Sequence, residues 1–252
     1  MNLKDKSAVV TGGSRGLGLG LVEALVAQGA KVTVVARGTE ALEAVKARLG
    51  VATISADATD RAAANRILAD IRPDLLALNA GVTPRMGRLD QLSWEDFSVA
   101  WEMDVKAGLF WLQAALNLPL KPGSRVLVGS SGAAVTGSQM SGGYAGSKRM
   151  LWFMAKYANG VSQQLHLGIR FQAIVPRQMI LGTGTGDAAA DAYAGSMGIT
   201  PEQFVARFGS PMPPREFGDR VISVLEDPQY AEGIVFGLSG DAGVTVMEGA
   251  AA

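Results

Sequence analysis

Along the chain, short apolar runs alternate with longer stretches of helical periodicity. Ser7-Ala8-Val9-Val10-Thr11 is followed by Leu19, Leu21, Val22, Leu25 and Val26 at helical spacing, closed by Gly29. That pattern predicts a strand and then a helix. Residues 31–36 predict a second strand, a helix capped by Thr39 reaches about Leu49, and residues 51–55 predict a third strand. A helix from Asp60 and the turn Pro73-Asp74 lead into a fourth strand, 75–78. The β-α-β-α-β-α-β order argues an α/β fold with a parallel sheet covered on both faces.

The second half continues the pattern. From Ser93 a long helix carries Trp94, Phe97, Trp101, Val105, Leu109, Trp111 and Leu112. It is apolar nearly all round, so one side suits the core and the other a subunit contact. Strands follow at 124–129 and 169–175, separated by a helix toward Leu165, and Pro176 stops the second of them. Residues 217–225 read as a helix and 234–238 as a last strand. Between them, 182–198 turns to small residues with Thr183, Thr185, Asp187 and Asp191, the composition of a lid over a pocket that extends to about 213. The tail 248–252 is small and expected to be flexible.

The totals narrow the field. With 252 residues, 48% of them apolar and 18% charged, residues 1–252 suit one large domain. The 23 basic and 23 acidic residues balance, which gives no electrostatic reason to expect nucleic acid or a membrane surface as partner. There is no cysteine and a single histidine, His166, so thiolate chemistry and a histidine-based metal site are not expected. No run approaches the roughly 18 apolar residues of a membrane helix. The expectation is a cytoplasmic protein acting on a small molecule.

Five stretches carry candidate chemistry. Thr11-Gly12-Gly13-Ser14-Arg15-Gly16-Leu17-Gly18 lies between a strand and a helix. There glycines let backbone N–H groups approach a pyrophosphate, and the helix N-terminus favours its charge. Arg37 ends the second strand, where an acid would read a ribose 2′-hydroxyl and an arginine accommodates a 2′-phosphate. With Arg15 it favours NADP(H) over NAD(H). Asp57 ends the third strand and reads equally as a partner for an adenine amino group or as a turn aspartate. Asn79-Ala80-Gly81 ends the fourth, with small residues for close passage of a cofactor and Asn79 as a brace to the neighbouring strand. Finally Tyr144 and Lys148, four apart, share one helix face, with Ser131 thirteen positions before the tyrosine. A phenol is a poor proton donor and acceptor at neutral pH, and an ammonium one turn away favours its anion. Serine, tyrosine and lysine together suit proton transfer at a carbonyl or alcohol oxygen.

Thr11-Gly12-x-x-x-Gly16-x-Gly18, Asn79-Ala80-Gly81, Ser131 and Tyr144-x-x-x-Lys148, in this order, resemble the short-chain dehydrogenase/reductase family over nearly the whole chain. The resemblance implies a single doubly wound Rossmann domain with a seven-stranded sheet in the order 3-2-1-4-5-6-7. It also implies homodimers or homotetramers built on the two long helices. It places cofactor contacts at Gly12, Ser14, Arg15, Gly16, Leu17, Gly18, Arg37, Asp57, Ala58, Asn79, Ala80, Gly81, Tyr144, Lys148 and Pro176. Tyr144 becomes the general acid, Lys148 the holder of the nicotinamide ribose, and Ser131 the group that orients the carbonyl. Two positions depart from the family pattern. Asp104 stands where an asparagine is usual, and Arg177 follows Pro176 where a glycine is usual; Arg177 either alters the loop, meets an acidic substrate, or points to solvent. Gln139, Met140, Met179 and Trp94 are the candidates for a substrate wall. The expected activity is NADP(H)-dependent interconversion of a ketone or aldehyde and an alcohol. An NAD-linked alcohol dehydrogenase and a dinucleotide-binding sensor or scaffold without turnover are the alternatives.

Overall fold

Each predicted strand–helix unit is present in the computed structural model, which describes residues 1–208 and 212–249. The first unit is β1 (Ser7–Thr11) and α1 (Gly16–Ala27), and the second β2 (Lys31–Ala36) and α2 (Thr39–Leu49). They are followed by β3 (Ala52–Ser55), α3 (Arg61–Ile71) and β4 (Leu75–Leu78). Local signals set the limits: Asp60 caps α3 by accepting from the Ala62 N–H, and Gly50 ends α2 in the left-handed region at φ 69°. Ser7 is anchored by Asp74, whose Oδ2 accepts from the Ser7 N–H at 2.9 Å and from its hydroxyl at 2.8 Å.

The long helix from Ser93 is not uniform. It consists of α4 (Trp94–Ala100), a π-helical turn Trp101–Val105, and α5 (Lys106–Asn117). Ser93 caps it, accepting from the Asp96 N–H at 3.1 Å. Beyond lie β5 (Arg125–Gly129), α6 (Ala133–Thr136), α7 (Tyr144–Gln164) and β6 (Arg170–Pro176). The expected lid contains α8 (Gly184–Met197) and α9 (Pro201–Val205); its residues 209–211 lie outside the described part. The chain then forms α10 (Pro214–Glu226), β7 (Gly233–Ser239) and β8 (Gly243–Gly249).

The eight strands form one sheet in the order β3-β2-β1-β4-β5-β6-β7-β8. The first seven are parallel neighbours in the expected order, and β8 adds an antiparallel edge strand not foreseen in the sequence. Its signal is short: Val244, Val246 and Met247 after a Gly243 turn. Glu248 and Gly249, expected in a flexible tail, belong to this strand, while 250–252 lie outside the described residues. Glu248 accepts from Trp152 Nε1 at 3.1 Å and is ion-paired with Lys156.

Alternate residues of each strand enter opposite cores, as the pleat requires. Val9, Leu76, Val126 and Phe171 join the layer of α3, α5 and α7. Ala8, Val10, Leu75 and Leu127 join the layer of α1, α2 and α10. Burial of a side chain such as Leu76 or Phe171 contributes about 1.5–3 kcal/mol. Because β1 lies between β2 and β4, the order in which strands are added to the sheet reverses about it, and a crevice opens at the carboxyl ends of the strands. Among the described residues no helix is long and apolar enough to cross a membrane.

Candidate active site at the carboxyl edge of the sheet

The crevice is a cavity of about 900 Å³. Its floor is the turn after β1, where Gly12 takes φ +67° and a Cβ would stand 2.7 Å from Ala80 Cα. Only glycine permits that approach. Gly18 lies behind the turn rather than on the cavity wall, and a Cβ there would meet the Gly12 carbonyl oxygen at 2.2 Å. It serves the close packing of α1 on the turn. Thr11 Oγ1 accepts from the N–H groups of Asn79 (3.1 Å) and Ala80 (3.2 Å), which locks the ends of β1 and β4 together. Asn79 Nδ2 donates to Gly12 O at 3.5 Å, the bracing expected of it. Ser14, Arg15, Gly16 and Leu17 face the cavity at the start of α1, where unpaired N–H groups favour an anion.

At one end of the cavity stand Arg37, Asp57 and Ala58, with Gly38, Ala41 and Thr59 beside them. Asp57 Oδ1 accepts from both the N–H and the hydroxyl of Thr59 at 2.8 Å. Those bonds, more than the charges of Arg37 and Lys106, hold its carboxyl below the ordinary aspartate range. Asp57 is thus a turn aspartate that also lines the cavity. Ala58 is fixed by its carbonyl, which accepts from Trp111 Nε1 at 3.0 Å. Neither Arg15 nor Arg37 makes an ion pair among the described residues, so both guanidinium groups are available to a ligand.

Midway, Ser131, Tyr144 and Lys148 border the cavity together with Asn79, Ala80, Gly81 and Pro176. Ser131 Oγ accepts from the Ala133 N–H at 3.2 Å, orienting the hydroxyl at the end of β5. Ser130 donates to the Lys148 carbonyl at 2.8 Å and ties that loop to α7. Lys148 Nζ sits 5.6 Å from the centre of the Tyr144 ring. It also lies 2.8 Å from Asp104 Oδ2. Burial works to lower the Lys148 pKa, but the charges of Asp104 and then Tyr144 outweigh it, and the lysine is held above its ordinary value. The start of α7 is pressed against α4: a Cβ on Gly143 would overlap the Phe97 carbonyl at 1.9 Å.

The far end holds Met179, as expected, and also Met86, Met197, Tyr193 and Phe204, none of which periodicity could assign to a pocket. Tyr193 stacks on Phe204 at 5.2 Å between ring centres, and its hydroxyl meets Ser138 Oγ. Gln139, Met140 and Trp94, expected on a substrate wall, are not among the residues that border the cavity. Gly87 donates to the Met140 carbonyl at 3.0 Å, which turns that loop outward and leaves Gln139 exposed. Trp94 is 72% exposed on the outer face of α4. Arg177 borders the cavity while remaining exposed, with its stem along β7, where a Cβ on Gly237 would stand 2.6 Å from Arg177 Cδ.

The geometry has counterparts among known proteins. The profile of the short chain dehydrogenase family matches residues 6–189. The sorbitol dehydrogenase of Cereibacter sphaeroides is 29% identical over 185 residues, 70% of this chain and 71% of that protein. The cis-1,2-dihydrobenzene-1,2-diol dehydrogenase of Pseudomonas putida is 32% identical over 169 residues, 63% of this chain but only 58% of the relative. A solved short-chain dehydrogenase from Streptomyces avermitilis has the same fold, with a TM-score of 0.76 at 23% identity over 94% of this chain and 89% of that one. A family profile spanning well over half of the sequence, laid on this sheet order and this crevice, makes the chain an oxidoreductase of the short-chain dehydrogenase family.

Proposed function

We propose that the protein is an NADP(H)-dependent oxidoreductase that interconverts a ketone or aldehyde and an alcohol. The family implies a nicotinamide dinucleotide, and the crevice residues fit one. The glycine turn and the start of α1 suit the pyrophosphate, and Asn79, Ala80 and Gly81 leave room along the floor. The single observation that carries the reading is the meeting of Ser131, Tyr144 and Lys148 on one cavity with Arg15 and Arg37. When bound, the dinucleotide supplies or takes up the hydride at its nicotinamide ring. Tyr144 gives a proton to the carbonyl oxygen in reduction and takes it back in oxidation, while Ser131 orients that oxygen by a hydrogen bond. Lys148 holds the ribose and biases the phenol electrostatically.

Arg15 and Arg37 support the phosphorylated cofactor, because an NAD(H) site needs an acid where Arg37 stands. Met86, Met179, Met197 and Phe204 support an apolar substrate portion held by an adaptable wall. The segment 182–213 is proposed as its lid. Exposed Trp94, Leu109, Val161 and Leu165 on the α4–α5 and α7 side support a homodimer or homotetramer built on that face. The test is fluorescence titration with NADPH and NADH, followed by a panel of carbonyl compounds with the tighter cofactor. Tight NADPH binding with turnover supports the proposal. Tight binding without turnover on any carbonyl favours the sensor or scaffold reading.

A further inference from the structure

Two buried charges meet behind Tyr144. The Lys148 side chain is 10% exposed and the Asp104 side chain 0%, and Nζ and Oδ2 are 2.8 Å apart. Asp104 reaches this position on the π-helical turn, which carries a carboxylate into a core-facing place. Its other oxygen accepts from the Val82 N–H at 2.8 Å. Gly81 leaves the necessary space, since a Cβ there would lie 3.0 Å from Oδ2. Oδ2 has no hydrogen bond of good geometry, so its hold on the ammonium is mainly coulombic. Both residues also border the large cavity, and on the far side of Asp104 an adjoining void of about 10 Å³ is at the lower limit for one water.

Of the other charges on the elements around α7, Arg177, after β6, borders the same cavity as Tyr144 and Lys148, and the rest are occupied or turned away. On α4, Glu95 is exposed and Asp96 faces Arg85; on the π turn, Glu102 is exposed. Lys106 of α5 acts on Asp57, Arg125 of β5 is bonded to Gln172, and Arg170 of β6 faces Glu232. On α7 itself, Arg149 stacks on Trp152 and Phe153, and Lys156 pairs with Glu248. α6 and β7 carry no titratable side chain.

We propose that Asp104 is a positioning residue of the reaction: it holds the Lys148 ammonium in place and, by countering its charge, lets the Tyr144–Lys148 pair keep both its protons to higher pH than it would without the carboxylate. This rests on the role of Tyr144 given above. With Asp104 ionised, the cluster of phenol, ammonium and carboxylate is neutral, and loss of a proton leaves it negative. With a neutral side chain at 104, the cluster starts positive and loss of a proton leaves it neutral. The first proton of the coupled Tyr144–Lys148 pair therefore leaves at lower pH without the carboxylate. For an opposite charge at this range the displacement is about one to three pH units.

Asp104→Asn tests this while keeping an acceptor for the Val82 N–H, and Asp104→Ser is a smaller neutral alternative should the first fail to fold. Two measurements on the full chain are needed. One is the pH profile of carbonyl reduction with NADPH. The other, without cofactor, is the ultraviolet absorbance of tyrosinate, each protein being compared with its own Tyr144→Phe counterpart. The expected result is an alkaline limb and a Tyr144 titration both displaced to lower pH, by about one unit or more. A titration unchanged or displaced upward overturns the inference. A displaced titration in a protein that reduces no carbonyl would sink the proposed activity and leave the role of Asp104 standing.

Discussion

Trp101 Nε1 donates a hydrogen bond to the Gly143 carbonyl at 3.2 Å, joining the π-helical turn to the residue just before Tyr144. The turn that delivers Asp104 to Lys148 is thereby fastened to the start of the helix that carries Tyr144 and Lys148. Trp101→Phe keeps most of the ring but removes the donor. A loss of about 0.5–1.5 kcal/mol of stability is expected, read by denaturant unfolding. A fall in kcat larger than the rise in KM is expected with it, from steady-state kinetics.

Tyr144→Phe removes the hydroxyl proposed to exchange the proton and leaves the cavity wall in place. Carbonyl reduction is expected to drop by about 10²–10⁴-fold, the usual contribution of a positioned acid. NADPH affinity should stay within a few-fold by fluorescence titration. Unchanged turnover would remove Tyr144 from the mechanism.

Arg37→Ala takes away one of the two guanidinium groups, with Arg15, that border the crevice. Each charge-assisted bond is worth about 1.5–3 kcal/mol, so NADPH binding is expected to weaken by about tenfold or more, with NADH little affected. Parallel titrations with the two cofactors measure it. Equal losses for both would show that Arg37 does not read the phosphate.

Asp74 predicts a pH dependence. Burial works to raise its pKa, but the N–H and hydroxyl of Ser7, then Lys121 and Lys6, outweigh it and hold the carboxyl below its ordinary value of 3.8. A folded value below the unfolded one means stability that is present above the ordinary value and lost as pH falls through the folded one. Asp74→Ala should cost about 1–3 kcal/mol near pH 7 because it leaves the Ser7 groups without their acceptor. Urea unfolding across pH should show the gap to wild type closing below the ordinary aspartate range.

What was legible in the sequence depended on the distance over which the signal acts. Gly12, Gly16 and Gly18, or Tyr144 and Lys148, are set by local spacing, and the structure brings most of them to one crevice. Asp104 was visible as a residue, but the π-helical turn was not, because an apolar helix face looks alike with or without one extra residue in a turn. Which way Gln139 and Met140 face was not legible, because their loop pairs with Gly87, remote in sequence. Tyr193 and Phe204 reach the cavity from a segment whose composition says small and polar. The edge strand β8 was missed because its apolar signal is three residues long.

Glu248 reaches back from the sheet edge to Trp152 and Lys156, on the helix that begins with Tyr144 and carries Lys148. Among the ties of that helix are Trp101 at its start and the last described strand farther along. Any alteration at the carboxyl end that disturbs Glu248, a fused tag or a clipped tail included, therefore slackens one mount of the beam that carries Tyr144 and Lys148.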